Sequence, residues 1–363
     1  MQLNNRLTEM LDIQYPIIQA GMAGQVTSSE MVAAVSNAGG LGTLGAGYMT
    51  PEIIRKQIQG IKKLTDRPFA VNLFVTHSIP TYSPTEIQNA NDRLKPIRDE
   101  LNLSTPKIDE FSIPFEEQMK VVLEEHVPVF SFTFGMLDSA WLTKLKEAGT
   151  IIVGTATTVR EAIFLEQAGV DVVVGQGSEA GGHRGTFLGD SQHSLVGTMA
   201  LIPQMVDHVQ IPVIAAGGIM DGRGVLAALS LGADAVQLGT AFLTCTESQT
   251  PVVHKELIMN STEEDTVLTR SFSGKHARGI GNSFITQFKK YEENWPEYPI
   301  QNALTQDIRK AASKQGLSDY MSLWAGQGLR LSQKRSIHEL MQSLVAETEQ
   351  TLEHLGLMKN SLK

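Results

Sequence analysis

Eight short apolar runs recur through residue 243, and all but the last lead into an amphipathic helical pattern. No other feature of the chain constrains its fold as strongly. The runs are PIIQAGM (16–22), GLGTLGAG (40–47), FAVNLFV (69–75), VPVFSFTFG (127–135), TIIVGTA (150–156), DVVVGQG (171–177), PVIAAGG (212–218) and DAVQLGTAFL (234–243). Short apolar segments bounded by glycine and proline read as strands buried on both faces. Between them, SSEMVAAVSNAG (28–39) is opened by serine and closed by glycine, and Pro51 stands where a helix accepts proline in its first turn. Further helices are expected around 115–126, 138–148, 159–169, 195–209 and 222–233. Strands that alternate with helices pair in parallel, and eight such units are the count of a closed (β/α)8 barrel. The expected fold class is therefore α/β, a TIM barrel, with an open doubly wound sheet as the alternative.

The alternation breaks twice. Residues 76–114 hold five prolines and read as an insertion. Beyond Thr246 the chain runs through TVLTRSFSGKHARGIGNSF and the aromatic YEENWPEYP into helical stretches that reach Lys363. The expected organisation is a barrel over 1–245 carrying the insertion, with 246–363 as an additional, mainly helical cap. With 30 basic against 39 acidic residues the net charge is −9, which argues against a nucleic-acid partner. Cys245 is the sole cysteine, so neither an intrachain disulfide nor a cysteine metal site is expected. No HExxH or acid–histidine cluster suggests a metal. No apolar run reaches the roughly 18 residues of a membrane span, and MQLNNRLTEMLDIQYP lacks the plan of a signal peptide. A cytoplasmic enzyme is the expectation, with oligomeric state left open.

Chemistry in a barrel gathers in the loops after the strands. The sixth run continues as GQGSEAGGHRGTF, placing His183 and Arg184 among Gly177, Gly181, Gly182 and Gly185. An imidazole there can act as acid, base or donor; the competing reading is an ordinary surface histidine. Gly217 and Gly218 follow the seventh strand and the Gly239–Thr240 pair follows the eighth, where barrels commonly hold phosphate. Two matches to G-x-G-x-x-G, at 40–45 and loosely at 175–180, lack the strand-then-helix setting of a dinucleotide turn. A mononucleotide cofactor is expected.

PIIQAGMAG, VSNAGGLGTLGAGY, NLF, TFG, GSEAGGHRGTF, IAAGGIMDGRG and VQLGTAFL, in this order, resemble class I of the nitronate monooxygenases, formerly 2-nitropropane dioxygenases. ARGIGN (277–282) and YPIQNALT (298–305) extend the likeness. The resemblance implies FMN at the barrel mouth, touched by Met22, Asn72, Gln176, Gly181, Gly217, Gly218, Gln237, Leu238, Gly239 and Thr240. It implies His183 as the active-site histidine, with Arg184 and Tyr298 toward the substrate, and Lys275, His276 or Arg278 adding positive charge if the cap covers the mouth. Gly21 stands where most relatives are expected to have proline. The implied reaction is oxidation of an anionic alkyl nitronate by O2 to a carbonyl product and nitrite, with propionate 3-nitronate the expected substrate. Two alternatives use the same barrel: an FMN-dependent enoyl reductase or NADH:quinone reductase, and a flavin-binding protein without turnover.

Overall fold

The computed structural model describes residues 4–75, 80–108 and 111–361. Its strands are β1 (Ile17–Gln19), β2 (Gly42–Gly45), β3 (Phe69–Phe74), β4 (Val129–Thr133), β5 (Ile151–Ala156), β6 (Val172–Gln176), β7 (Gly182–His183), β8 (Val213–Ala216), β9 (Ala235–Leu238), β10 (Thr266–Thr269) and β11 (Ala277–Ile280). Eight of them pair in the order β1-β9-β8-β6-β5-β4-β3-β2, each neighbour parallel. The remaining seam closes at Leu41, whose N–H donates to Ile17 O and whose carbonyl accepts from Gln19 N, both at 3.0 Å. The sheet is thus a (β/α)8 barrel.

Local chemistry explains the helices around it. In Pro51–Leu64 the Thr50 hydroxyl caps Ile53 N–H, proline occupies the first turn, and Lys62 and Lys63 face the negative end of the dipole. Ile54, Ile58 and Ile61 form its buried stripe. Val159–Ala168 is capped by Thr158 and stops at Gly169, whose φ of +94° suits glycine.

Inside the barrel, Ile18, Val129, Val153, Val172, Val174, Ile214 and Ala235 pack with Leu7, Leu11 and Ile13. The last three belong to or follow a helix, Arg6–Leu11, that sequence patterning did not single out. Arg6 and Asn5 bond Asp234 and Gln210, in the turns that precede β9 and β8. This helix therefore plugs the N-terminal end, leaving the opposite end for the site.

The eighth apolar run is not strand throughout: β9 ends at Leu238 and Thr240–Leu243 is a short helix. An apolar run carries no period by which strand and helix can be told apart. The helix that completes the ring comes much later. Ile337–Ser361 packs on the Gly222–Ser230 and Ser29–Asn37 helices, and Ile337, Leu340, Met341 and Leu344 join the barrel core. Between β9 and that helix the chain builds a roof. There Phe272, Phe284, Phe288, Trp295, Ile300 and Leu304 pack with Ala90, Leu94 and Ile97 of the helix Pro84–Glu100. This helix lies within the segment expected as an insertion, of which residues 76–79 and 109–110 fall outside the described residues. Buried Arg98 ties it to the roof through Asp307 at 2.8 Å and Leu304 O at 2.6 Å. The roof also holds a small antiparallel sheet, β10-β11-β7. Among the described residues no helix is long and apolar enough to cross a membrane.

A Cβ at Gly222 would lie 2.3 Å from Thr348 N, a backbone atom of the ring-closing helix. Gly222→Ala should therefore cost about 1–3 kcal/mol by overpacking, read from the urea midpoint. An unchanged midpoint would mean that the helix is not seated there.

Candidate functional site

The C-terminal ends of the strands open into a cavity of ≈ 760 Å³, within the roughly 300–1,000 Å³ typical of small-molecule sites. The barrel contributes Met22, Tyr48, Asn72, Thr155, Gln176 and Gln237 to its lining, and the roof contributes Asn302, Arg309, Trp324 and Gly326. Phe134, at the end of β4, also lines it with φ +81°, a conformation that bulky side chains rarely adopt.

His183 is delivered by β7, which pairs antiparallel with β11 so that His183 faces Ala277. Its ring lies 5.6 Å from Phe134, 6.0 Å from Tyr298 and 5.5 Å from Trp324 between centroids. Nε2 is 2.8 Å from Ser273 Oγ, which is in turn 3.0 Å from Lys275 O. Burial, then the charges of Lys275 and Arg309, push the imidazole down to about 3, so it is neutral near pH 7. Two tautomers fit the heavy atoms. Either Nε2–H donates to Ser273, which passes its own hydrogen to Lys275 O, or Ser273 donates to Nε2 and leaves Nδ1–H free as a donor.

The loop around His183 is pinned by groups that face away from the cavity. Arg184 was expected to meet substrate, but it is fully buried and absent from the lining. Its guanidinium donates to Gly177 O at 2.6 Å, Gln176 O at 2.9 Å and Ser194 O at 3.0 Å. Lys275 Nζ donates to Thr186 O at 2.8 Å and stands 5.0 Å over the Phe134 ring, and burial lowers its pKa to about 8. His276 Nδ1 is 2.6 Å from Ser191 Oγ, and Arg278 Nε donates to Ser178 O at 3.0 Å. None of these four side chains lines the cavity. The reason is local: a glycine-rich loop leaves many carbonyls unpaired, and cationic donors satisfy them.

The other expected residues divide. Met22, Asn72, Gln176, Gly181, Gly217, Gly218, Gln237, Gly239 and Thr240 all line the cavity. Leu238 does not; it is 1% exposed, in the barrel core. Tyr298 lies behind the lining, edge-on to Phe134 at 5.3 Å, with its phenol pKa raised first by burial. Both ends of the Gln176 amide are engaged, Nε2 donating to His183 O at 3.0 Å and Oε1 accepting from Gly185 N at 2.8 Å. Sequence patterning passed over Tyr48, Trp324 and Arg309, which reach the site through tertiary folding. Phe134 lay inside the TFG stretch but was given no role.

The glycines serve different ends. A Cβ at Gly181 would sit 2.5 Å from Ala325 C, so that glycine is needed by protein packing. Gly218 has φ +71°, which favours glycine with or without a ligand. Gly239 is different: a Cβ there meets only Ala20 Cβ at 3.7 Å and Met22 Sδ at 3.8 Å, so its open side faces the cavity. At Gly21 a Cβ would be 2.6 Å from Asn72 Cβ, so a larger residue there would displace Asn72. Among the described residues no group of three or more His, Cys, Asp or Glu is placed to hold a metal ion.

Comparison with known proteins places this geometry. The nitronate monooxygenase family model matches residues 4–347. A probable nitronate monooxygenase of Staphylococcus haemolyticus is 50% identical over 358 residues, covering 97% of this chain and 99% of that protein. Among solved structures, nitroalkane oxidase from Streptomyces ansochromogenes superposes with a TM-score of 0.89 at 38% identity, covering 97% of this chain and all of that one. FabK from Thermotoga maritima gives a TM-score of 0.77 at 32% identity, covering 97% of this chain and 98% of that one.

Arg184→Leu should act on stability. Gly177 O keeps the Ala180 N–H at 3.2 Å, but Gln176 O and Ser194 O lose the guanidinium, at about 1–3 kcal/mol for each carbonyl left unsatisfied, so a drop of a few kcal/mol is expected in chemical unfolding. A variant that keeps its unfolding midpoint but loses only substrate affinity would return Arg184 to the substrate.

Proposed function

Because the chain belongs to the nitronate monooxygenase family, we propose that it is an FMN-dependent enzyme that oxidises alkyl nitronates with O2 to a carbonyl product and nitrite. The observation that carries this reading is the neutral His183 at the cavity wall. A nitronate is already an anion, so the reaction requires a donor and no base. An imidazole held at about 3 is a poor base at neutral pH and a serviceable donor.

The cavity residues fit FMN. Gly218, Gly239 and Thr240 would hold its phosphate, where barrels commonly bind one. Met22 and Asn72 would flank the ring, and Gln176 would fix the loop beside it. When bound, FMN would take electrons from the nitronate and pass them to O2. An anion beside His183 selects the tautomer in which Ser273 donates to Nε2 and Nδ1–H donates outward, to a nitronate oxygen. Phe74, Phe134 and Trp324 line the approach and exclude water from that contact. Lys275, held behind Phe134 by Thr186 O, adds positive potential without touching the ligand. The likeness to FabK is compatible with the second reading that the sequence left open on this barrel, an FMN-dependent enoyl reductase or NADH:quinone reductase.

The purified protein should be yellow and release FMN, not FAD, on heating. Gly239→Ala, which the surrounding protein can accept, should weaken FMN retention by at least about tenfold while leaving the melting temperature of the apoprotein within about 2 °C. Equal retention would move the phosphate elsewhere.

Anaerobic mixing should bleach the flavin rapidly with an alkyl nitronate and hardly at all with NADH. His183→Ala should keep the flavin and lose about 100- to 1,000-fold in turnover, the usual cost of one preorganised donor. Rapid bleaching by NADH with no response to nitronate would assign the chain to the reductase reading.

A further inference from the structure

Most cations near His183 are engaged by the loop, but Arg309 is not. It sits on the helix Gln306–Gln315 and keeps part of its surface open to the cavity. Nε donates to Thr305 Oγ1 at 3.1 Å, and Nη2 donates to Asn302 O at 2.7 Å and Asn302 Oδ1 at 2.8 Å. These bonds fix the plane of the guanidinium without neutralising it. Among the described residues, Nη1 has no hydrogen-bond acceptor and no carboxylate forms an ion pair with Arg309. Nearby Asp307 is bonded to Arg98 Nε at 2.8 Å.

Tyr48 lines the same cavity, and its buried hydroxyl lies beside the phenol of Tyr298, whose hydrogen bond toward it leaves the Tyr48 hydrogen to donate. Arg309, Tyr48 and His183 all line the cavity, Tyr298 stands behind them, and the positive charge of Arg309 is felt at each of the three other groups. A cation in a cavity wall that no carboxylate contacts, with one guanidinium nitrogen left without an acceptor, lacks one component: an acceptor anion. The planar fork of arginine matches a carboxylate. Exposed Lys310 and Lys314 line the outer cavity from the same helix and raise the potential along the way in.

We propose that Arg309, together with the Tyr48 hydroxyl, is the specificity-determining subsite for a carboxylate carried on the tail of the substrate. The proposal rests on the nitronate reading above and gives its substrate two anionic ends. The nitronate end meets His183, and the carboxylate end meets Arg309 and Tyr48. Arg184, buried on the far side of the loop, has no part in this selection.

The test compares propionate 3-nitronate with propyl-1-nitronate, which lacks the carboxylate, on the FMN-loaded enzyme. The readout is the ratio of their kcat/KM values. Arg309→Met should lower that ratio by at least about 30-fold, chiefly through KM for the carboxylate-bearing substrate. Arg309→Lys should restore part of it, since a point charge replaces a fork. Tyr48→Phe should lower the ratio by about tenfold, as for one hydrogen bond to a charged group. Flavin content and melting temperature monitor folding of each variant. Equal losses on both nitronates, or an unchanged ratio, would overturn the subsite. Calorimetry with 3-nitropropionate against 1-nitropropane separates this proposal from the reaction itself. If wild-type enzyme oxidises neither nitronate, the reaction is wrong. The subsite then stands only if 3-nitropropionate binds wild type at least about tenfold more tightly than Arg309→Met while 1-nitropropane does not discriminate, and it falls if both ligands behave alike.

Discussion

The site depends on two buried charges that hold the loop after β6. Arg184 collects three carbonyls from 176, 177 and 194. Glu161, also buried, accepts from Thr157 N and Thr157 Oγ1 at 2.7 Å each, from Phe187 N at 2.6 Å and from Leu188 N at 2.8 Å. A loop of glycines has no side chains with which to pack and much conformational freedom to lose. Charge-assisted hydrogen bonds from its two ends supply what packing cannot. With the loop fixed, β7 can pair with β11 and His183 is set between Phe134, Tyr298 and Trp324.

This arrangement concentrates positive charge around a cavity in a chain whose net charge is −9. Arg184, Lys275, Arg278 and Arg309 all have their pKa lowered, with burial the first cause in each. Three of the four are stabilised by carbonyls of the loop they support, so their charge contributes field without offering a contact. Arg309 differs because it donates to Thr305, the N-cap of its own helix, and to Asn302 in the short helix Ile300–Leu304 before it. Field and contact are thereby divided between the loop and the roof.

The barrel was legible because buried parallel strands and capped helices carry their signals within a few residues: Thr50 with Pro51, Thr158 with Gly169, and the apolar runs themselves. The glycine loops were legible for the same reason, and nine of the ten residues that the family resemblance implied at the barrel mouth do line the cavity. The exception, Leu238, follows from strand alternation, which turns it away from its neighbours Gln237 and Gly239. The side to which Arg184 turns was not legible. His183 and Arg184 are adjacent on an extended segment, so if one faces the cavity the other faces the wall, and only pairing with β11 decides which. Arg309 and Trp324 had no local signature because roof and barrel meet only in three dimensions, whereas Tyr48 closes the GLGTLGAGY stretch after β2 and was given no role there.

The route of the chain gives the roof its rigidity. After β9 the chain leaves the barrel and builds β10, β11 and the aromatic cluster around Phe272 and Phe284. It returns only at Ile337 to supply the last helix of the ring. The roof is therefore held to the barrel at both ends. It is also held in its middle, because β11 pairs with β7 and Gly326 N donates to Thr240 Oγ1 at 2.9 Å. A Cβ at Gly181 would strike Ala325 and one at Gly326 would strike Glu179 O at 2.7 Å, so backbone meets backbone where roof and loop touch. Contacts of that kind tolerate no intervening side chain and allow little sliding. A roof tied in this way keeps Arg309 and Trp324 in register with His183 before any ligand arrives, which is what preorganised recognition of a small anion requires.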